Sequence, residues 1–258
     1  MNSLKWNIVL LVCVLVLKNN IASAGKNLRI IGGTKAKIED HPWMVSFLNA
    51  SEYHMCGGSL INDDTVVSAA HCFVDDHIKY AVVGVSDLRH EKTLLSFKEP
   101  KLHEKYDRLR INFDNDIAII KLKKKVVFSP KIQPIRLPKH DLHVPNETPV
   151  ITAGWGRTDP MIPIGSDDLL EVKINIVDWQ TCKKRLSHIS KVTERMICAG
   201  NLNGGQDSCQ GDSGGPLELN GTLIGVVSWG NICGTPGYAG VYTKVSDFVT
   251  WINKKIEV

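Results

Sequence analysis

The stretch GGQDSCQGDSGGPL, Gly204 to Leu217, surrounds one serine, Ser213, with glycines, two acidic residues and a cysteine. Glycine and proline clusters mark turns, and Gly215-Pro216 alone reads as no more than that. Gly211-Asp212-Ser213-Gly214-Gly215 also fits the G-x-S-x-G elbow of α/β hydrolases, which requires an acid and then a histidine later in the chain. No histidine follows Ser213, and Gly215-Pro216 is a poor start for the long helix such an elbow needs. That architecture is excluded, so the partners of Ser213 have to lie upstream.

Among nine histidines, His71 stands out by its setting. It ends the apolar run VVSAAHC, where a strand-like segment and Cys72 would hold its backbone, and a general base needs such rigid support to stay within reach of its nucleophile. Asp116 heads the run NDIAIIKL, a place where burial without a partner is costly; an ordinary turn residue at a strand end fits the local sequence equally well. His71, Asp116 and Ser213 together make an Asp–His–Ser set.

The rest of the chain reads as antiparallel β structure. Short β-rich runs recur between turn residues: WMVSFL, TVVSAAHC, YAVVGV, DIAIIKL, PVITAGWG, LLEVKINIV, LIGVVSWG and GVYTKV. Helical periodicity is clear only at the C-terminus, where Phe248, Trp251, Ile252 and Ile256 share a face and Ser246-Asp247 offers a cap. The segment PIRLPKHDLHVPNETP reads as a crossing between two halves.

Of the 258 residues, Met1–Ala24 reads as a secretory signal: Lys5, an apolar run Ile8–Leu17, then Ala22-Ser23-Ala24. Ten apolar residues are too few for the roughly 20 that span a bilayer. The protein is therefore expected to be secreted and extracellular. Four of the 31 basic residues and none of the 27 acidic ones lie in residues 1–29, so the remainder is formally neutral. Neither nucleic acid nor a membrane is expected as a partner. With Cys13 in the signal, six cysteines remain: Cys56, Cys72, Cys182, Cys198, Cys209 and Cys233. The even number suits an oxidising compartment and none shows the C-x-x-C spacing of a zinc site, but spacing alone leaves the pairing open.

IIGG at Ile30, SAAHC at Ser68, NDIAIIKL at Asn115, TAGWG at Thr152, DSCQGDSGGP at Asp207 and VVSWG at Val226 together resemble the trypsin branch of the chymotrypsin-like serine proteases. The resemblance implies an all-β fold of two six-stranded antiparallel β-barrels with a C-terminal helix, spanning residues 30–258. His71 and Asp116 would come from the first barrel and Ser213 from the second. By resemblance Ser213 is the nucleophile, His71 its base and Asp116 the residue that orients the imidazole. The amides of Gly211 and Ser213 would form the oxyanion hole, and Ser228 would support Asp116.

Resemblance also places Asp207 at the floor of the primary specificity pocket, with Gly230 and Gly240 leaving its walls open and Ser228, Trp229 and Gly230 pairing with extended substrate. A carboxylate there accepts arginine, or lysine through water. Protein or peptide substrates cleaved after Arg or Lys are implied, with protein protease inhibitors as further partners and a monomer as the working form. The disulfides implied are Cys56–Cys72, Cys182–Cys198 and Cys209–Cys233, a set of three as in many invertebrate trypsin-like enzymes. Residues 25–29 would be a propeptide, cleaved between Arg29 and Ile30 so that the new Ile30 ammonium inserts beside Asp212. Val85 and Lys92 stand where vertebrate trypsins carry calcium-binding glutamates, so no metal and no cofactor is expected. Ala239 replaces the proline or tyrosine common in the family.

Sequons at Asn49, Asn146 and Asn220 lie between strand-like runs and are expected to accept glycans if the chain is secreted. A secreted binding protein on the same fold, with catalysis absent, is the competing functional class, and fold alone does not separate the two.

Overall fold

The computed structural model describes residues 31–107 and 112–256. The expected signal, the propeptide, Arg29 and Ile30 lie outside them.

Two antiparallel sheets carry the molecule. The first half contributes β2 (Met44–Asn49), β3 (His54–Leu60), β4 (Thr65–Ser68), β5 (Ile78–Val83), β6 (Lys101–Leu102) and β7 (Ala118–Lys121), preceded by a short β1 (Thr34–Lys35). The second contributes β8 (Pro149–Gly154), β9 (Leu170–Val177), β10 (Met196–Gly200), β11 (Pro216–Leu219), β12 (Thr222–Trp229) and β13 (Gly240–Lys244). In the second half the order β9-β10-β13-β12-β11-β8 closes on itself through the β8–β9 pair, and β1 is added at β9. The first half is ordered β5-β2-β3-β4-β7-β6, with its seam bridged by single pairings of Ala81 with Leu95 and Phe97 with Leu122.

Alternation explains the strands that sequence reading finds. In β9, Leu170, Val172, Ile174 and Ile176 are buried while Lys173 and Asn175 face solvent, the period-two pattern of a sheet with one covered face. Inside the second barrel these side chains pack with Val150, Leu217, Ile224 and Tyr242. Phe47, Val66, Ile120 and their neighbours fill the first. Each fully buried aliphatic or aromatic side chain contributes about 1.5–3 kcal/mol.

β3 escapes sequence reading because Gly57 and Gly58 interrupt its apolar run. Both glycines are required by close approach. A Cβ on Gly57 would lie 2.9 Å from Gly215 Cα, and one on Gly58 2.7 Å from the Phe47 ring. The first contact brings the two halves together beside Ser213, where the Gly57 N–H donates to the Ser213 carbonyl at 2.7 Å.

Three local expectations are corrected. The strand read through TVVSAAHC ends at Ser68, and His71 lies in a 3-10 turn, Ala70–Phe73. A helix absent from the sequence reading, α1 (Trp179–Leu186), is capped by Asp178, which accepts from the Thr181 N–H at 2.8 Å. It buries Cys182 and Leu186, one turn apart, too narrow a stripe to register as periodicity. The C-terminal helix α2 (Val249–Ile256) begins through a 3-10 turn, Val245–Phe248, so Ser246 and Asp247 lie inside that turn and do not cap the helix.

Candidate active site

His71 and Asp116 meet through two hydrogen bonds. Asp116 Oδ1 accepts from the His71 backbone N–H at 2.9 Å, and Oδ2 lies 2.7 Å from His71 Nδ1. The carboxylate is fully buried. Oδ2 also accepts from Ser228 Oγ at 2.5 Å, and the Asp116 carbonyl accepts from Thr243 Oγ1 at 2.7 Å, so two strands of the second half hold an aspartate of the first. Burial works to raise the Asp116 pKa, but the charge on His71 and the hydrogen bonds from His71 and Ser228 outweigh it, leaving the group below the ordinary carboxylate value. The His71 side chain keeps 15% of its surface exposed, as a group that exchanges protons with a ligand requires. Its neighbour Cys72 is bonded to Cys56, tying the 3-10 turn to β3.

The Gly211–Gly215 backbone is bent by left-handed glycines, with φ of +100° at Gly211 and +81° at Gly214. Side chains are excluded there as well: a Cβ on Gly214 would lie 2.1 Å from Ser68 Oγ. Among the described residues the Gly211 and Ser213 amides have no hydrogen-bond acceptor. Two free N–H groups beside a serine suit a developing oxyanion.

One cavity, of about 230 Å³, is lined by Phe113, Asp207, Ser213, Trp229, Gly230 and Gly240, among others. In its lining Asp207 Oδ2 accepts from the Gly234 N–H at 3.1 Å, whereas Oδ1 has no partner. Burial pushes the Asp207 pKa up to about 7, against the hydrogen bonds from the Gly234 and Ser208 backbone and with a further push from Asp212. A Cβ on Gly240 would lie 3.0 Å from Asp207 Oδ1 and obstruct it. Cys209–Cys233 joins two segments lining this cavity, and Cys182–Cys198 ties α1 to β10 away from it. Among the described residues Cys56, His71 and Cys72 form the one grouping of ligand atoms compact enough for a metal, and both sulfurs are committed to a disulfide.

Asp212 is not among the residues lining the cavity. It is buried, accepts from the Gly156 N–H at 2.9 Å and the Cys209 N–H at 2.8 Å, and burial lifts its pKa to about 6 against those two bonds.

Sequence reading misses His54. Its Nδ1 lies 2.7 Å from Ser46 Oγ and its Nε2 2.8 Å from the Gly211 carbonyl, buttressing the backbone next to Ser213. Burial drops its pKa to about 4, so it is neutral at pH 7. The sole local signal is its closeness to Cys56.

Residues 30–252 match the family model described as Trypsin. The chain is 37% identical to "Trypsin 5G1" of Aedes aegypti over 92% of this chain and 87% of that one. It is 38% identical to "Trypsin" of Phaedon cochleariae, covering 90% of each, and 38% identical to "Hypodermin-B" of Hypoderma lineatum, covering 88% and 87%. An all-β two-barrel fold, a hydrogen-bonded Asp116–His71 pair, a serine on a glycine-rich bend, and these relatives agree, and the chain belongs to the trypsin family of serine endopeptidases.

Proposed function

We propose that the protein is a secreted endopeptidase that hydrolyses peptide bonds after Arg or Lys through an acyl-enzyme. Ser213 attacks the scissile carbonyl while His71 takes its proton. Asp116 holds the imidazole in the tautomer with Nδ1–H facing the carboxylate, and stabilises the imidazolium. The Gly211 and Ser213 amides stabilise the oxyanion, an interaction whose loss typically costs about 10²–10³ in rate. Ser228–Gly230 pairs with extended substrate backbone. Protein protease inhibitors are the expected macromolecular partners besides substrates, and the working form is a monomer.

The observation that carries the specificity is the Asp207 carboxylate, buried at the base of the cavity that Ser213 lines, with one oxygen unpartnered. A buried, unsatisfied carboxylate is costly, and a guanidinium supplies the missing donors and the opposite charge. Asp207→Ser should therefore cut kcat/KM for an arginyl amide by at least ~100-fold, since the cation would be buried without a counter-charge. Ser213 in this variant should still label with a fluorophosphonate. Unchanged arginyl turnover would refute the assignment, and wild-type protein that fails to label would support the binding-protein alternative.

Activation follows from Asp212. Cleavage between Arg29 and Ile30 frees an ammonium that pairs with this buried carboxylate and fixes the neighbouring Gly211 amide. Asn146 and Asn220 are exposed and Asn49 half-buried; all three are taken as glycan acceptors, which a mass shift on enzymatic deglycosylation checks.

A further inference from the structure

Residues 96–102 and 118–125 hold six lysines, Lys98, Lys101, Lys121, Lys123, Lys124 and Lys125, against one acid, Glu99. The fold lays these two segments side by side. Phe97 pairs with Leu122 and Lys101 with Ile119, while the Lys98 N–H donates to the Lys121 carbonyl and the Lys123 N–H to the Ser96 carbonyl, each at 2.8 Å. Side chains alternate across a strand. Phe97, Ile120 and Leu122 turn into the first core, so Lys98, Lys121 and Lys123 share the outer face. Neighbouring lysines there have Cβ atoms about 5 Å apart across the pair and roughly 6.8 Å apart along β7.

Two of the six are neutralised within the protein, Lys121 by Asp64 at 3.0 Å and Lys125 by Asp63 at 2.9 Å. Lys98, Lys101, Lys123 and Lys124 have no carboxylate within ion-pair distance among the described residues. On the helix side the strip ends where α2 covers Ile119, and Lys255 of that helix is taken by Glu104. None of the six lines the cavity beside Ser213. The neutral balance of the chain after Arg29 therefore hides a local excess of positive charge on one face of the first half.

We propose that this face binds a linear sulfated polysaccharide through Lys98, Lys101, Lys123 and Lys124. A polymer with closely repeated negative charges meets the lysine row along its length, and its released counter-ions drive binding. Single-stranded nucleic acid stacks its bases on aromatic rings, and the aromatic ring of these segments, Phe97, is committed to the core. A lipid surface takes up apolar side chains interspersed with the basic ones. Here Leu102, Ile119 and Leu122 pack inward, and the exposed Val127 and Phe128 lie beyond the paired segments. The choice of a sulfated sugar among polyanions rests on the reading of the protein as secreted; the charge of the face does not.

The test titrates heparin into the full chain by calorimetry, after release at Arg29–Ile30 and with benzamidine present against self-digestion. Wild type should bind heparin and not neutral dextran, with log K falling against log salt at a slope of roughly −3 for four contacts. Replacing Lys98, Lys101, Lys123 and Lys124 together by Ser should weaken binding at least ~10-fold. Replacing Lys37, Lys139, Lys173 and Lys184, exposed lysines elsewhere, removes the same net charge and should weaken it less than ~3-fold. Both variants, free of benzamidine, should turn over an arginyl amide as wild type does, which separates a lost contact from a lost fold. Val127→Ser with Phe128→Ser should leave heparin binding unchanged. Equal losses in the two lysine variants, a loss in the Val127/Phe128 variant, or tighter binding to duplex DNA or anionic phospholipid vesicles than to heparin overturns the proposal.

Discussion

Asp207 titrates as it does because of what surrounds it. In the unfolded chain it ionises near 3.8; folded, burial holds its pKa at about 7. Between those values the folded form keeps a proton the unfolded form has released, so this group favours folding at low pH and loses that contribution as pH rises through about 7. A bound amidinium requires the ionised form and reverses the trend. Benzamidine at fixed concentration should therefore raise Tm by several degrees more at pH 8 than at pH 5.5, measured by differential scanning fluorimetry; equal shifts would contradict a cation–carboxylate contact. Single residues of this kind were legible in the sequence when a rigid local motif carried them, as Asp207 and Ser213 are carried by one bend. His54, and the Asp114–Arg195 ion pair that links the halves, were not. Their partners are distant in sequence, 157 residues away for His54 with Gly211 and 81 for Arg195 with Asp114, and nothing local distinguishes them.

The loop after β5 shows how one side chain can hold an element. Gly84 turns the chain with φ of +75°, and Val85 packs beside the core around Trp155, Met44 and Leu88. The largely covered Lys92 ammonium donates to the Leu88 carbonyl at 3.2 Å and pairs with Glu52 at 3.1 Å. A fixed ammonium supplies the positive charge that a bound divalent cation would bring to such a loop. Chelators should leave Tm and activity unchanged, whereas Lys92→Met should lower Tm by about 2–4 °C. A chelator-induced fall in Tm that calcium restores would show that an ion is bound. At this scale the sequence was readable where apolar and polar residues alternate, as in β9, and opaque where packing overrides pattern. β3 is broken by glycines that serve contact between the halves, and α1 presents too thin an apolar stripe.

At the scale of the whole molecule each half lends an arm to the other. The N-terminal arm runs through β1 onto β9, where the Ala36 N–H donates to the Leu169 carbonyl at 3.0 Å and Lys35 pairs with Asp168. The Ile31 carbonyl of that arm accepts from the Asp207 N–H at 3.3 Å. The described part of the arm is therefore tied to the pocket segment at Ile31. Arg29→Gln protein should show at most ~1% of the arginyl-amide activity of cleaved wild type, because Asp212 stays without its counter-charge; full activity with an intact propeptide, verified by Edman sequencing, would remove activation by cleavage from the scheme. In the opposite direction, α2 lays Ile252, with Phe248 before it, against Val67, Ala69, Ile117 and Ile119, and Trp251 and Lys255 both reach Glu104 of the first half. The three disulfides, by contrast, each close within one half: Cys56–Cys72 in the first, Cys182–Cys198 and Cys209–Cys233 in the second. Covalently, then, the halves are joined by a single backbone thread between β7 and β8, and the exchanged arms are a clasp made of noncovalent contacts. A break in that thread, at the exposed Val127 for instance, would leave His71 and Asp116 on one fragment and Ser213 on the other, so that under the proposed mechanism the activity of protein already released at Arg29–Ile30 would depend on concentration: the machinery is in that sense divisible.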